Sequence, residues 1–471
     1  MLIIHVPNTY ISERTYIIKT LMHDFLAIDI RLLTEPRTDV MIEAHDNQAG
    51  RTLHIADALF QTPMCQWLTS ESLPEQPLKV WDTTSIFNDV PLVSYKMPVI
   101  YGCKQEDHAQ DNSYITETQN ELYLGLDIFG SAFFMLTRYE EYVKPDRDQH
   151  DRFPATASLA YQEGFLDRPI INEYLEILWY CLKRLWPGLE RKKRNFRIIV
   201  SHDVDAPFAQ AFSGISQLIR NCGGDLLRRK STALALQRAK SWRAVKQGDY
   251  RQDINYTFDR IMDISEKNGL QSAFYFKTAC TDPVYDDNYS IDHPYIRQLL
   301  RDIHQRGHEI GLHPSYLTYN DPVQTSHEYE RLRTACEGEN IQQNHWGGRQ
   351  HFLRWQVPFT WRNWVNAGLD YDSTLSYADH AGFRCGVCYE YPVFDLKERQ
   401  QLQLTERPLI VMEGSVLGEQ YMNLSGREAM AYMQKLKELC RQYNGDFTLL
   451  WHNSLFETPE MWEMYERLIS E

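Results

Sequence analysis

The chain has 471 residues, 43% of them hydrophobic and 24% charged, with a formal net charge of -15. That length predicts two or three domains, and the acidity argues against a nucleic-acid or anionic-membrane partner. No stretch reaches the ~18 uncharged apolar residues that span a bilayer, the start lacks a basic leader, and nine scattered cysteines fit reduced thiols in a cytoplasm.

The first half mixes short apolar runs with polar loops and closes on helices. Met1-Leu-Ile-Ile-His-Val-Pro7 reads as a first strand. Residues 130–143 have helical spacing, with Phe133, Leu136, Tyr139 and Val143 on one face. Residues 172–186 form a second amphipathic helix, stopped by Pro187-Gly188, and the polar string from Glu190 to Asn195 reads as a linker. Residues 1–192 are therefore expected to form a separate α+β domain.

From Phe196 onward strand and helix patterns alternate. Strands are expected at 197–203, 272–278, 309–313, 344–352, 369–373, 409–413 and 446–452. Helices are expected near 250–268, 293–306, 326–338, 358–367 and 426–443, the last opening on a capping box, Ser425 with Glu428. The cluster Arg228-Arg229-Lys230, followed by Arg238, Lys240, Arg243 and Lys246, reads as the solvated face of a helical insertion. Alternation over ~270 residues predicts an α/β fold with a parallel sheet, and a (β/α) barrel is the usual solution at this size.

Chemistry-bearing residues collect where these strands stop, the edge on which α/β proteins build their sites. Ser201-His202-Asp203-Val204-Asp205 ends the first strand of the second half, and alternation puts Asp203 and Asp205 on one face. Of two such carboxylates, one can hold a metal and the other take a proton. The plainer alternative is a helix cap at Asp205. His308 and His313 are one residue too far apart for a helical H-E-x-x-H pair, and Gly311 would spoil the helix. As a strand, the segment puts His313 at the carboxyl end and leaves His308 to anchor the turn. Arg349 can pair with a carboxylate, and His351 faces the same side. His452 ends the last strand, where an imidazole can give a proton to a leaving group. Asp372 is a candidate to orient that imidazole or to bind substrate. Cys385 and Cys388 form a lone pair, whereas a structural zinc site needs a second one.

The order of these motifs resembles that of the NodB-type polysaccharide deacetylases, carbohydrate esterases with a distorted (β/α) barrel, over about residues 196–471. With G-L-H-P-S-Y, Arg349-Gln-His-Phe-Leu and L-L-W-H-N-S, the chain is most similar to a subgroup that carries an N-terminal domain of unknown function. The resemblance implies Asp203 as catalytic base, Asp205 and His313 as metal ligands, Arg349 as the arginine that tunes the base, and His452 as catalytic acid. The family's second metal histidine falls on Leu317, so His351, Tyr316 or water is left to complete the shell. Asp372, Tyr316, His351 and Trp451 are the candidate substrate-binding residues. The implied activity is removal of acetyl groups from an amino sugar or polysaccharide precursor, with a divalent metal, zinc first, as cofactor. A carbohydrate is then the partner in surface-polysaccharide synthesis, without nucleic acid or membrane span, and with self-association left open. Two alternatives stand beside it: an accessory glycan-binding protein that has lost the metal site, and an amidohydrolase on a small non-sugar amide.

Overall fold

The computed structural model of the protein describes residues 1–470 apart from 47–49, 104–113, 229, 287–288 and 457. The first half supplies β1 (Leu2–Pro7), β2 (Ile30–Glu35), β3 (Val40–Ala44), β4 (Thr52–Ile55), β5 (Lys79–Asp82), β6 (Lys96–Val99), β7 (Ile115–Glu117) and β8 (Glu121–Leu124). Six of these form a mixed sheet in the order β2-β1-β3-β4-β8-β7, and β5 with β6 makes a separate ribbon. The expected 130–143 helix is two helices, Ile128–Leu136 and Tyr139–Val143. They are divided at Arg138, whose backbone is left-handed at φ 54.

The second half supplies β9 (Arg197–Val204), β10 (Ser272–Phe276), β11 (Glu309–Leu312), β12 (Gly347–Gly348), β13 (Tyr371–Asp372), β14 (Tyr391–Asp395), β15 (Gln400–Glu406), β16 (Val411–Met412) and β17 (Asp446–Leu450). They form one nine-stranded sheet, β14-β15-β13-β12-β11-β10-β9-β17-β16, parallel throughout except for β14 against β15. Helices follow the strands as the pattern predicts. In Pro294–Gln305, for example, Ile296, Leu299, Leu300 and Ile303 are the buried stripe.

Three expectations need correction. The sheet is open: β14 and β16 are its edges, and among the described residues no backbone pairing closes it into a barrel. β16 is two residues long and passes straight into the helix Glu413–Leu417, which leaves no free ladder to offer. The strand expected at 344–352 shrinks to Gly347–Gly348, where a Cβ on Gly348 would stand 1.8 Å from the Leu312 carbonyl oxygen. Only glycine allows β11 and β12 to approach that closely. Ser425 makes no side-chain cap on the helix Gly426–Gln442.

Both sheets share one continuous apolar core. Tyr16 donates to the Pro392 carbonyl at 2.7 Å and packs its ring on Phe394 at 4.9 Å. Glu141 lies buried between Arg138, at 2.8 Å, and Arg384, at 2.5 and 2.9 Å. Among the described residues no helix is long and apolar enough to cross a membrane.

Candidate active site

Six neighbouring strands deliver the site. In the order β12-β11-β10-β9-β17-β16 their carboxyl ends bring Arg349 and His351, His313, Lys277, Asp203 and Asp205, His452 and Glu413 together. Register makes this possible. Tyr275 pairs with Asp203, Phe276 with Leu312, and Leu312 with Gly348, so the residue after each strand emerges at about one level.

Asp205 Oδ1 is the centre of the first group. His313 Nε2 and His351 Nε2 each stand 3.3 Å from it. The far nitrogen of each ring is committed. His313 donates its Nδ1–H to the Arg349 carbonyl at 2.6 Å, and His351 donates its own to Asp286 at 2.9 Å. Those partners fix the tautomer and leave both Nε2 lone pairs aimed inward. Asp205 Oδ1 and His313 Nε2 are buried with no hydrogen-bond partner. Two acceptors facing each other across 3.3 Å are unfavourable unless they share a cation. The three side chains can therefore hold a metal ion. Burial would raise the Asp205 carboxyl, but His351, Lys277 and His313 overcome it and hold the group well below the usual carboxylate range. Burial lowers the His351 imidazole, favouring the neutral, ligating form. Lys277, itself buried, places Nζ 3.2 Å from the same Asp205 oxygen.

Two flanking pairs complete the arrangement. Arg349 donates to Asp203 Oδ1 at 2.8 Å, and its remaining N–H groups reach Ser201 Oγ and the Ser373 carbonyl at 2.9 and 2.8 Å. Bonded through all three of its nitrogens, the guanidinium fixes the carboxylate, whose Oδ2 lies 3.8 Å from His313 Nε2. On the other flank Glu413 Oε1 accepts both the backbone N–H and the Nδ1–H of His452, at 2.7 and 2.6 Å. Burial disfavours the charged imidazole, yet the Glu413 carboxylate raises it to about 10, so His452 is a proton donor at neutral pH. Its Nε2 faces Asp205 Oδ2 at 3.6 Å.

The other expected residues divide. His351 leaves the substrate-binding group and joins the metal group, at the place where Leu317, 46% exposed, contributes nothing. Tyr316 lies beside the site, hydrogen-bonded to His150 Nδ1 at 2.9 Å and stacked on Tyr285 at 4.5 Å. Asp372 does not orient His452. Its Oδ1 caps Thr374, and burial raises its carboxyl to about 7. Trp451 is fully buried against Phe456 and Tyr465, a core ring rather than a sugar platform. His308 anchors a turn as expected, accepting from the Ser272 N–H at 3.0 Å. Cys385 and Cys388 are buried free thiols, and burial pushes Cys385 up to about 12.

Sequence reasoning missed Lys277, Asp286 and Glu413. A lysine closing the apolar run Ser272-Ala-Phe-Tyr-Phe276 and a glutamate closing Leu409-Ile-Val-Met412 were visible signals, whereas Asp286 lies in a loop with none. Also unseen was the part played by the first half. Arg354 donates to the carbonyls of His150 and Tyr316 at 2.8 and 2.7 Å, and Arg152 donates to the Phe352 carbonyl at 3.0 Å. These bonds hold the turn after His351, where Phe352 and Leu353 are both left-handed, at φ 59 and 54. Such a backbone costs roughly 1–2 kcal/mol per residue and persists only under constraint.

Residues 2–187 match a family of unknown function, DUF7033. No curated protein matches the chain. Among solved structures it is similar to a chain from Mycobacterium smegmatis described as a polysaccharide deacetylase, at 15% identity and a TM-score of 0.37, covering 59% of this chain and 84% of that one. It is also similar to Puue allantoinase, at 14% identity and a TM-score of 0.36, covering 60% and 85%. Likenesses this distant say nothing of the chemistry.

Proposed function

We propose that the protein is a metal-dependent hydrolase that removes acetyl groups from an amino sugar of a surface-polysaccharide precursor. The observation that carries this reading is the convergence of three possible ligand atoms, one each from Asp205, His313 and His351, all within 4.8 Å of one another, between an Arg-paired carboxylate and a Glu-paired imidazole. Two imidazoles and one carboxylate suit zinc, which when bound in such a site polarises an acyl oxygen and acidifies a water. Asp203, held by Arg349, takes the proton of the attacking water. His452, held charged by Glu413, gives its proton to the departing sugar nitrogen. Acetate and the free amine result. The motif order over residues 196–471 supports a carbohydrate amide as the substrate class.

Zinc-loaded protein is expected to release acetate from N-acetylated sugars, and Asp203→Asn or His452→Ala to lower kcat roughly 10²–10⁴-fold with the fold retained. Full activity in both variants would sink the proposal. Lys277 favours a second reading, an amide hydrolase in which the ammonium near Asp205 faces the acyl oxygen in place of a metal. Metal analysis separates the two: the first requires about one ion per chain, lost in His351→Ala, and the second requires none.

A further inference from the structure

We propose that the helical hairpin between β9 and the following helix, with the loops beside it, docks the protein on an anionic bilayer surface. The carboxyl edge of the nine-stranded sheet then faces the lipid.

The hairpin is a built element. Ile215–Leu227 and Thr232–Lys246 pack on each other, and buried Asp225 pairs with Arg238 at 2.7 Å across them. Ser231 caps the second helix through the Leu234 N–H. Its base is fixed to the body, where Asp253 accepts the N–H groups of Ala209, Gln210 and Ala211 at 2.8, 2.7 and 3.0 Å.

Its surface has two marks of an interfacial helix. One is charge: residues 214–248 hold eight lysines and arginines against a single acid, in a chain of net charge -15. Arg229 is among them and lies outside the described residues. The other is exposed apolar surface: Ile215, Ile219, Leu226, Leu227 and Leu236 are 63%, 67%, 47%, 81% and 63% exposed. Ile215, Ile219 and Leu226 fall on one face of their helix, while Lys240 and Arg243 are exposed on the other helix. A cavity of about 710 Å³ is lined by Ile219 and Leu227 together with Arg220, Arg228 and Arg238, the chemistry of a lipid headgroup above an acyl chain. Apolar side chains interleaved with cations fit a bilayer interface.

The distribution beyond the hairpin gives the orientation. Val284 and Tyr285 follow β10, Leu317 and Val323 follow β11, and Leu455 follows β17. With the five of the hairpin, these are all the exposed large hydrophobic side chains among the described residues from 196 on. Every one lies in the connection that follows the carboxyl end of a strand, in the hairpin, in a loop or at the start of the next helix. Scattered exposed apolar residues need no explanation, but a one-sided set does. The candidate active site opens on that same edge, so under the deacetylase reading a docked protein presents it to a lipid-linked substrate.

The test is flotation of the full-length protein with vesicles of phosphatidylcholine alone and of phosphatidylcholine with phosphatidylglycerol, at low and high salt. Binding to the anionic vesicles, weakened by salt and nearly absent on neutral ones, is expected. Each cation near an anionic surface contributes about a fivefold factor. Lys240→Glu with Arg243→Glu should thus lower affinity at least tenfold, and Ile219→Asp with Leu227→Asp should do the same. Lys192→Glu with Lys193→Glu, outside the surface, should leave binding unchanged. No vesicle binding, binding indifferent to the hairpin variants, or hairpin variants that instead dissolve a dimer in light scattering would each overturn the proposal. Binding is read without turnover, so its failure leaves the hydrolase reading standing, and inactivity leaves this one standing.

Discussion

Glu413 shows how a single buried carboxylate sets the chemistry of its neighbour. Both of its contacts to His452 go through one oxygen, Oε1, while Oε2 is buried without a partner. Burial works against the imidazolium, and the Glu413 carboxylate, with the Asp205 and Asp203 charges added, outweighs it, placing the imidazole at about 10. The charged form is thus the acid that a leaving nitrogen needs, and kcat should fall as the pH rises through that value. Glu413→Gln keeps the shape and removes the charge, so the alkaline limb should move to lower pH by at least about one unit, given shifts of 1–3 units for an opposite charge at contact distance. A pH–kcat profile checks this, and an unmoved limb would show that Glu413 only positions the ring. The same pairing adds stability that is complete below the unfolded value near 6.5 and is lost as the pH climbs through about 10.

At the scale of elements, a parallel sheet alone would not complete the site. The strand ends supply Asp203, Asp205, His313 and His452, but His351 arrives on a turn held in a left-handed backbone by Arg152 and Arg354. Arg152 belongs to the first half of the chain, which is therefore part of the site's scaffold. Arg152→Ala removes one restraint and opens a neighbour to solvent without touching a ligand. Metal affinity is expected to drop roughly tenfold, the scale of outer-shell losses, with little change in unfolding midpoint. Competition with a chromophoric chelator measures it, and an unchanged affinity would mean that the turn holds itself. The strand ends were legible because alternation and apolar runs mark them in sequence. The turn was not, since its shape depends on partners about 200 residues away.

Across the whole molecule, the two sheets are joined by a shared apolar core and by a buried ion cluster. Arg138, Glu141 and Arg384 are each at most 3% exposed, and Glu141 is the carboxylate shared by the two arginines. Glu141→Ala would leave Arg384 without its carboxylate and Arg138 with Glu140 alone, at 3.3 Å, a loss of about 3–5 kcal/mol for a broken buried pair. Denaturant unfolding should show that loss in one transition reported alike from both halves. Two separate transitions, with only one of them shifted, would show that the halves unfold independently.

The sequence by itself determined the α/β alternation, the helix faces and the carboxyl-edge positions of Asp203, Asp205, His313, Arg349 and His452. Those follow from periodicity and chain direction, which are local. It could not say that Leu317 would point away, that His351 would take a place beside Asp205, or that Asp286, Lys277 and Glu413 would stand behind and beside them. Nor could it say that Trp451 would be core and Asp372 a cap. Which side chains share a few ångströms depends on sheet order and register, and these are set by packing between segments far apart in the chain. Charge followed the same rule. The total of -15 argues against an anionic surface and the cation cluster at 228–246 is visible in sequence, but only the folded arrangement sets exposed apolar residues beside it on one edge.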